Sequence, residues 1–202
     1  MTARLDGRQD AAIERAASAL AAGDLVVYPT ETVYGLGADA LDPDAIEAVF
    51  SAKRRARDQP VSMAVPTAEA AREYVTLSER EAQFVARFLP GPVTVVVEKR
   101  QVVPDLLTAG GPKVGIRVPD HPVAQALLSA FAPITATSAN VSGRPSVTRP
   151  EDLDPELTEA VEVVLEAGET GGTGSTVVDV EGDDCVRACP LDDPSADWLA
   201  AH

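Results

Sequence analysis

Four cations within five positions form the most unusual local feature of this sequence. Lys53, Arg54, Arg55 and Arg57 stand together in a chain that carries 17 basic against 32 acidic residues. The cluster predicts a site for an anionic ligand, because a local excess of cations in an acidic molecule attracts negative charge. The alternative is a solvated helix end whose cations complement the helix dipole. The neighbouring motifs are needed to choose between an anion-binding site and a solvated helix end.

Two segments rich in hydroxyl groups and glycine each follow a short apolar run. Residues 29–37 read Pro-Thr-Glu-Thr-Val-Tyr-Gly-Leu-Gly, and residues 137–143 read Thr-Ser-Ala-Asn-Val-Ser-Gly. In α/β folds, ligands commonly bind where strands end, so both segments are candidate binding loops. The same residue types also favour ordinary turns, which is the alternative for each segment taken alone.

A third candidate loop precedes an apolar run. Residues 171–176 read Gly-Gly-Thr-Gly-Ser-Thr, and their backbone amides and hydroxyl groups can cradle a phosphate. A flexible loop is an equally good interpretation of this composition. Residues 168–174 are also the candidate for a lid that moves over the site.

The scarcity of histidine and cysteine narrows the reaction class. His121 and His202 are the two histidines, and Cys185 and Cys189 are the two cysteines. These residues cannot build a Ser-His-Asp triad, a Cys-His pair or a histidine-rich metal site. The two cysteines are interpreted as strand residues rather than zinc ligands. The sequence therefore favours catalysis by positioning and charge stabilisation, as in phosphoryl and nucleotidyl transfer.

Helical and strand patterns alternate along the chain. A helix is predicted through residues 13–20 with Gly23 at its C-terminal end, another from Asp42 and Pro43 through Phe50, a third from a capping box at Ser78 and Glu81, and a fourth over residues 123–131. Strands are predicted at 25–28, 61–65, 93–97, 114–118, 134–137, 161–165 and 176–180. This alternation predicts a single α/β domain. The connections 97–114 and 165–176 lack a helical pattern, so a mixed sheet is expected rather than a parallel one.

The net charge and the hydropathy of the sequence indicate the conditions and the compartment in which the protein works. The net charge is −15, and Lys53, Lys99 and Lys113 are the three lysines. This acidic excess opposes nucleic-acid binding and favours a halophilic source, the alternative being an ordinary acidic cytosolic protein. Residues 1–10 are polar and no stretch is long and apolar enough for a membrane span, so a cytoplasmic location and no membrane partner are expected.

Taken together, six motifs in one order resemble a known family. They are residues 29–37, the Lys53-Arg-Arg55 run closing at Pro60, and residues 90–94, 115–119, 138–143 and 175–179. The chain resembles the Sua5/YrdC/TsaC family of L-threonylcarbamoyladenylate synthases over residues 8–190, which leaves 191–202 as a short, loosely attached tail. The resemblance implies an α/β fold of the YrdC/RibB-like type, a twisted mixed sheet with flanking helices around an open concave cavity.

The resemblance also implies roles for individual residues. Thr30, Arg117 and Ser175 would hold threonine, with the planar Arg117 fork pairing the carboxylate. Lys53 and Arg55 would be catalytic and grip the phosphates of ATP. The ATP side would be completed by Ser138, Asn140, Ser146 and Arg187. Mg²⁺ would enter with the ATP phosphates and take no ligand from protein side chains.

The implied reaction makes threonylcarbamoyl-adenylate from L-threonine, bicarbonate and ATP. The threonine amine captures bicarbonate or carbon dioxide as a carbamate, a carbamate oxygen attacks the α-phosphate of ATP, and pyrophosphate leaves. In the family this is the first step of the tRNA modification N6-threonylcarbamoyladenosine (t6A37). The intermediate would pass to a tRNA threonylcarbamoyl-transferase complex.

Three departures from the family pattern accompany the resemblance. Some members carry a histidine shortly after the proline of the Lys-x-Arg motif, whereas residues 60–65 here read Pro-Val-Ser-Met-Ala-Val, with Ala64 near that place. Ala188 and Cys189 follow Arg187 where a glycine is common. The longer family form has a further C-terminal domain, so the chain is expected to correspond to the single-domain form.

Two other functions compete with synthesis. One is a non-catalytic module that binds double-stranded RNA, which the charge of −15 opposes. The other is a carbamoyl transfer of the kind found in hydrogenase maturation proteins, which expects zinc-finger or acylphosphatase segments that this sequence lacks.

Overall fold

The computed structural model describes residues 1–182, 184–187 and 194–201, without side chains in 184–187. The strands are β1 Ala3–Asp6, β2 Val26–Tyr28, β3 Gly35–Gly37, β4 Ser62–Ala64, β5 Val75–Thr76, β6 Val93–Lys99, β7 Lys113–Arg117, β8 Ile134–Ser138, β9 Val163–Glu166, β10 Thr176–Asp179 and β11 Asp184–Arg187. The helices are α1 Asp10–Ala21, α2 Pro43–Lys53, α3 Ala68–Ala71, α4 Glu79–Phe88, α5 Pro122–Ala130, α6 Pro155–Ala160 and α7 Pro194–Ala201, with a 3₁₀ turn at Pro150–Asp152.

The strands form one mixed sheet in the order β1-β9-β2-β3-β8-β4-β7-β6-β10-β11, with β5 paired to β6. The pairs β1/β9, β2/β9, β4/β7 and β6/β10 are parallel. The pairs β2/β3, β3/β8, β4/β8 and β6/β7 are antiparallel. The prediction of a mixed α/β sheet is therefore confirmed. Within the described residues, no helix is both long and apolar enough to cross a membrane.

Local capping chemistry sets the helix boundaries that the sequence predicted. The Asp42 carboxylate accepts from the amide of Asp44, and Pro43 takes the first helical position of α2. Ser78 and Glu81 form the reciprocal capping box at the start of α4. Gly23 has a φ of +87° immediately beyond the C-cap of α1, a conformation that glycine adopts without strain.

Apolar side chains from the helices cover the sheet. On one side α1 and α5 pack against the sheet through a cluster that includes Leu20 and Leu127. Another cluster includes Phe50, Met63 and Phe84. The rings of Trp198 in α7 and Phe84 in α4 are nearly perpendicular, with ring centroids 5.2 Å apart. The C-terminal helix is therefore packed onto α4, which differs from the loose attachment expected, because Trp198 supplies a large apolar surface that α4 buries.

One segment that was interpreted as a ligand loop contains a strand. Gly35–Gly37 form β3, because β2 and β8 flank it and satisfy its backbone groups on both sides. The ring of Tyr28 lies against this strand, and a Cβ atom added at Gly35 would come within 2.9 Å of it. These glycines therefore serve close packing of backbone on an aromatic ring. The strands β1 and β5 were also not predicted, whereas the interpretation of Cys185 as a strand residue is confirmed by β11.

Candidate functional site

A cavity of about 830 Å³ lies over one face of the sheet, lined by alternate residues of neighbouring strands such as Lys113, Gly115 and Arg117 of β7. Its wall includes six of the residues that the family resemblance nominated, which are Thr30, Arg55, Arg117, Ser138, Ser146 and Ser175. Thr30 follows β2, Arg117 ends β7, Ser138 ends β8 and Ser175 immediately precedes β10. The fold thus brings together residues that lie up to 145 positions apart in sequence.

Arg117 lies at one end of this cavity among hydroxyl groups. It is 8% exposed, and its Nη2 donates to Thr32 Oγ1 at 2.7 Å and to Glu31 Oε1 at 2.9 Å. Thr30 Oγ1 lies 3.5 Å from the same nitrogen and donates to the carbonyl of Val33 at 2.6 Å. A buried guanidinium with adjacent hydroxyls suits a small ligand that carries a carboxylate.

Two further groups border this end. Ser175 Oγ lies 3.4 Å from Thr94 Oγ1, and both side chains line the cavity. Tyr28 also lines the cavity, and burial raises the pKa of its hydroxyl to about 12, against a smaller opposing effect of the Arg117 charge. Tyr28 therefore contributes a neutral phenol and no negative charge at neutral pH.

The four clustered cations have different environments. Arg54 pairs with Glu156 at 2.8 Å, and Arg57 pairs with Glu47. The Arg55 guanidinium donates to the carbonyls of Gln59 at 3.1 Å and Pro60 at 2.8 Å, which are also cavity-lining residues. Arg55 is the member of the cluster that lines the cavity, so the solvated-surface interpretation fits Arg54 and Arg57.

Lys53 is buried beneath the loop that follows β8. It is 1% exposed, and its Nζ donates to the carbonyls of Ser138 and of Asn140, the latter at 2.7 Å. Its own carbonyl accepts from the amide of Ser142 at 2.8 Å. Lys53 therefore fastens the end of α2 to the loop at 138–142 and lies outside the cavity lining. Its catalytic role stays a prediction.

Asn140 holds the shape of the same loop. Its Nδ2 donates to the carbonyls of Val141 at 3.0 Å and Arg144 at 2.8 Å, and its Oδ1 accepts from the Ser138 hydroxyl. The side chain is 8% exposed and is not among the cavity-lining groups. Ser138 and Ser146 line the cavity, whereas Asn140 supports the backbone between them.

The glycine-rich segment 168–174 is anchored at several points. Tyr34 Oη donates to the carbonyl of Gly168 at 2.7 Å and accepts from the amide of Ala167 at 3.1 Å. The amide of Gly172 donates to the carbonyl of Thr32 at 2.7 Å. The segment therefore passes directly over the 29–37 motif. Its motion as a lid stays a prediction.

The remaining nominated groups lie in the C-terminal part of the chain. Arg187 and Cys185 belong to β11, but their side chains are outside the described residues, as are Cys189 and His202. The proposed contact of Arg187 with ATP therefore stays a prediction.

The structure adds residues that sequence reasoning did not assign to the site. Lys113 lines the cavity and donates to both oxygens of Asp179, at 2.9 and 2.7 Å.

A sequence signal for this pair existed. Asp179 closes the Ser-Thr-Val-Val-Asp motif, and Lys113 is one of only three lysines. The hydrogen bond with Asp179 raises the pKa of Lys113. Asp58 also lines the cavity. Among the residues the structure describes, no group of three or more His, Cys, Asp or Glu side chains has the arrangement of a metal site.

The sheet and its cavity define a class of protein, an α/β protein with a concave cavity on one face of a mixed sheet. Comparison with known proteins identifies the family. The family model Sua5/YciO/YrdC, described as "Telomere recombination", matches residues 18–188, and the chain belongs to this family.

Individual relatives are similar over most of the chain. A protein of Pyrococcus abyssi named "Threonylcarbamoyl-AMP synthase" is 40% identical over 171 residues, which is 83% of this chain and 50% of the relative. A "Putative threonylcarbamoyl-AMP synthase" of Methanocaldococcus jannaschii is 33% identical over 162 residues, 80% of this chain and 76% of the relative. The chain thus spans half the length of the first relative and about three quarters of the second.

Solved structures share the fold. P. abyssi Sua5 complexed with L-threonine has a TM-score of 0.80 and 38% identity, over 89% of this chain and 54% of that one. Escherichia coli YciO has a TM-score of 0.79 and 26% identity, over 89% of this chain and 88% of that one. The expectation of the family and of its twisted mixed sheet is confirmed.

Proposed function

We propose that this chain synthesises threonylcarbamoyl-adenylate from L-threonine, bicarbonate and ATP, with release of pyrophosphate. The observation that carries the proposal is a single cavity whose wall includes the buried Arg117 with Thr30 and also Arg55 with Ser138. Such a cavity can hold a carboxylate-bearing substrate and an anionic nucleotide side by side. The names of the relatives and the threonine in the P. abyssi complex support the same assignment.

In this proposal threonine binds at the Arg117 end. The guanidinium pairs the substrate carboxylate, and the hydroxyls of Thr30 and Ser175 contact the polar groups of threonine. Thr94 holds Ser175 from the other side. The amino group then faces the interior of the cavity, where bicarbonate or carbon dioxide adds to form the carbamate.

ATP binds at the opposite side, where Arg55 grips its phosphates. Ser138, Asn140, Ser146 and Arg187 complete the nucleotide site, with Lys53 holding the loop that presents Ser138. The carbamate oxygen attacks the α-phosphate directly and pyrophosphate leaves. The protein supplies no nucleophile, so the rate enhancement comes from the alignment of two substrates and from cations near the developing phosphate charge.

Mg²⁺ is proposed to accompany ATP. The ion binds readily through substrate phosphates and few protein ligands, which fits a cavity whose lining carboxylates include Asp58 and the Lys113-paired Asp179. When bound, Mg²⁺ neutralises phosphate charge. Arg55 orients the phosphates on the protein side.

The product leaves for a tRNA threonylcarbamoyl-transferase complex, and direct binding of RNA by this chain is weak because of its charge of −15. The proposal includes a cytoplasmic location and a salt-rich setting. Measuring RNA binding at two salt concentrations tests the rival function, which is a non-catalytic RNA-binding module. Tight, steeply salt-dependent binding without ATP turnover would support that module instead.

The decisive assay mixes purified protein with ATP, Mg²⁺, bicarbonate and L-threonine in concentrated KCl. Pyrophosphate and threonylcarbamoyl-adenylate are quantified, with reactions lacking threonine or bicarbonate as controls. We expect both products only in the complete mixture. Pyrophosphate that does not depend on threonine, or ADP as the main product, would overturn the proposal.

A further inference from the structure

Ser62 contributes a hydroxyl group to the floor of the cavity, which is the face of the sheet formed there by β8, β4 and β7. The side chain lines the cavity, and its Oγ makes no hydrogen bond within the part of the chain that the structure describes. The neighbouring positions are Ala136 of β8 and Gly115 of β7, which carry no polar side-chain atom. A Cβ atom added at Gly115 would come within 2.5 Å of Ser62 Oγ, so the hydroxyl lies over bare backbone. Its donor is therefore available to a ligand in the cavity.

The strand registers place Ser62 between the two proposed substrate ends of the cavity. Because β4 runs parallel to β7, residue 62 lies beside Gly115, and Arg117 stands two residues further along β7. Because β4 runs antiparallel to β8, where Ser62 is the partner of Ala136, Ser138 stands two residues further in the opposite direction. Two residues of a strand span about 6–7 Å. Ser62 is therefore midway between the residue proposed for the threonine carboxylate and a residue proposed for ATP.

The middle of the cavity is where the two substrates must meet. In the proposed reaction, the carbon derived from bicarbonate is bonded to the threonine nitrogen and, through oxygen, to the α-phosphate. With threonine at Arg117 and ATP at Ser138, this carbon lies over the row formed by Ala136, Ser62 and Gly115. The two small neighbours leave space for a planar anion, and Ser62 supplies the polar side chain of this row.

We propose that Ser62 Oγ donates a hydrogen bond to bicarbonate and then to the carbamate that is made from it. This inference rests on the proposed function and names a binding group for the one substrate to which the motifs assign no residue. A neutral hydroxyl suits this substrate, because it can donate to an anionic oxygen without giving up its proton.

Ser62 acts on the step that joins threonine to bicarbonate. The nitrogen lone pair of the neutral threonine amine forms the N–C bond, and the C–OH bond of bicarbonate breaks with its electron pair on the departing hydroxide. The hydroxide takes one proton from nitrogen and leaves as water, so the products are the threonine carbamate and water. Ser62 holds one carbamate oxygen, which becomes the carbonyl oxygen of the adenylate. The other carbamate oxygen stays free to attack the α-phosphate.

Steady-state kinetics with each substrate varied in turn tests this role. We expect Ser62→Ala to raise the KM for bicarbonate about tenfold, with the KM values for ATP and threonine within about twofold of the wild type. Ser62→Thr keeps the hydroxyl and should restore the bicarbonate KM. The control is Ser129→Ala, because Ser129 donates to the carbonyl of Gln125 on α5 and does not line the cavity. An unchanged bicarbonate KM in Ser62→Ala, or an equal rise of all three KM values, would overturn the inference.

Calorimetry with N-carbamoyl-L-threonine tests the same contact without turnover. This stable compound carries a planar carbonyl group where the carbamate would stand. Ser62→Ala should weaken its binding about fivefold, whereas L-threonine should bind both proteins equally. Equal affinity of the two proteins for N-carbamoyl-L-threonine would contradict the proposed hydrogen bond. A wild type that releases no threonine-dependent pyrophosphate would instead reject the proposed function, whereas an active wild type with an indistinguishable Ser62→Ala variant would reject this inference alone.

Discussion

At the scale of single residues, burial separates cations that look alike in the sequence. Lys53 and Arg55 both match the family motif, yet Lys53 is 1% exposed beneath the 138–142 loop and Arg55 lines the cavity. Lys53 donates to two carbonyl oxygens in this loop, and the Ser138 carbonyl also accepts from the Asn140 amide at 2.9 Å. A direct consequence is that the two residues should respond differently to substitution.

Lys53→Met should lose both stability and ATP binding. Removing the ammonium takes the side-chain donor from the Asn140 carbonyl and one of two donors from the Ser138 carbonyl, which costs about 1–3 kcal/mol in the free energy of unfolding. The displaced Ser138 then weakens ATP binding while threonine binding is retained. Urea unfolding and calorimetry measure the two effects. Lys99→Met is the matched control, since Lys99 binds Val103 and Asp105 and lines no part of the cavity. Equal ATP affinity in Lys53→Met and Lys99→Met would contradict the prediction.

Arg55→Ala should lose ATP binding at little cost in stability. Its guanidinium donates to the carbonyls of the exposed residues Gln59 and Pro60 in its own loop, and Arg55 lines the cavity. We expect the KM for ATP to rise about tenfold or more, with a free energy of unfolding within about 0.5 kcal/mol of the wild type. Arg57→Ala is the control, because Arg57 pairs with Glu47. If steady-state kinetics showed the same change in the KM for ATP for Arg55→Ala and Arg57→Ala, the Arg55 charge would have no specific role in ATP binding.

At the scale of elements, the sequence predicts those parts of the fold whose signals are local. The capping box of α4, the proline start of α2 and the apolar runs of β6 and β8 all appear where their patterns place them. The strand β3 escapes prediction because Gly35–Gly37 have no strand propensity, and only the flanking β2 and β8 make them extended.

The same distinction applies to the site. Arg117 and Thr30 could be nominated from motifs, and the fold does bring them within 3.5 Å of each other. The Lys113–Asp179 pair and the Arg117–Glu31 pair depend on tertiary contacts between distant segments. A motif marks Asp179 and the scarcity of lysine marks Lys113, but no local pattern shows which residues pair, so these contacts required the structure.

The start of α5 should respond to pH through His121. Its Nδ1 accepts from the amide of Val123, so the neutral imidazole caps the helix, and burial lowers its pKa below the ordinary 6.5. The unfolded chain binds the proton more readily, so this contribution to stability is present above pH 6.5 and is lost as the pH falls below it. His121→Asn keeps a capping acceptor that does not titrate.

Urea unfolding at about pH 7.5 and 5.5 measures this effect. The wild type should lose more unfolding free energy than His121→Asn over this interval, and the two should differ least at the higher pH. Identical losses in both proteins would mean that protonation of His121 does not weaken the cap.

At the scale of the whole molecule, the net charge of −15 opposes compactness. Several basic residues are already used in local ion pairs, such as Arg15 with Glu162 and Arg149 with Asp152. The excess carboxylates repel one another across the surface, and this repulsion is stronger in the folded state than in the expanded unfolded chain. Salt screens it, because the Debye length falls from about 10 Å at 0.1 M to about 3 Å at 1 M.

Stability should therefore rise with salt. Between about 0.1 and 2 M KCl we expect the free energy of unfolding to increase by roughly 2 kcal/mol, or about 4–8 °C in Tm for a chain of this size, because screened self-repulsion outweighs the loss of weak surface pairs. Differential scanning calorimetry measures it. The matched control replaces four exposed glutamates by glutamine, which are Glu14, Glu73, Glu98 and Glu159. This variant should start from a higher Tm in low salt and gain less from added KCl; an equal gain in both proteins would show that the salt acts on hydrophobic burial and not on the acidic surface.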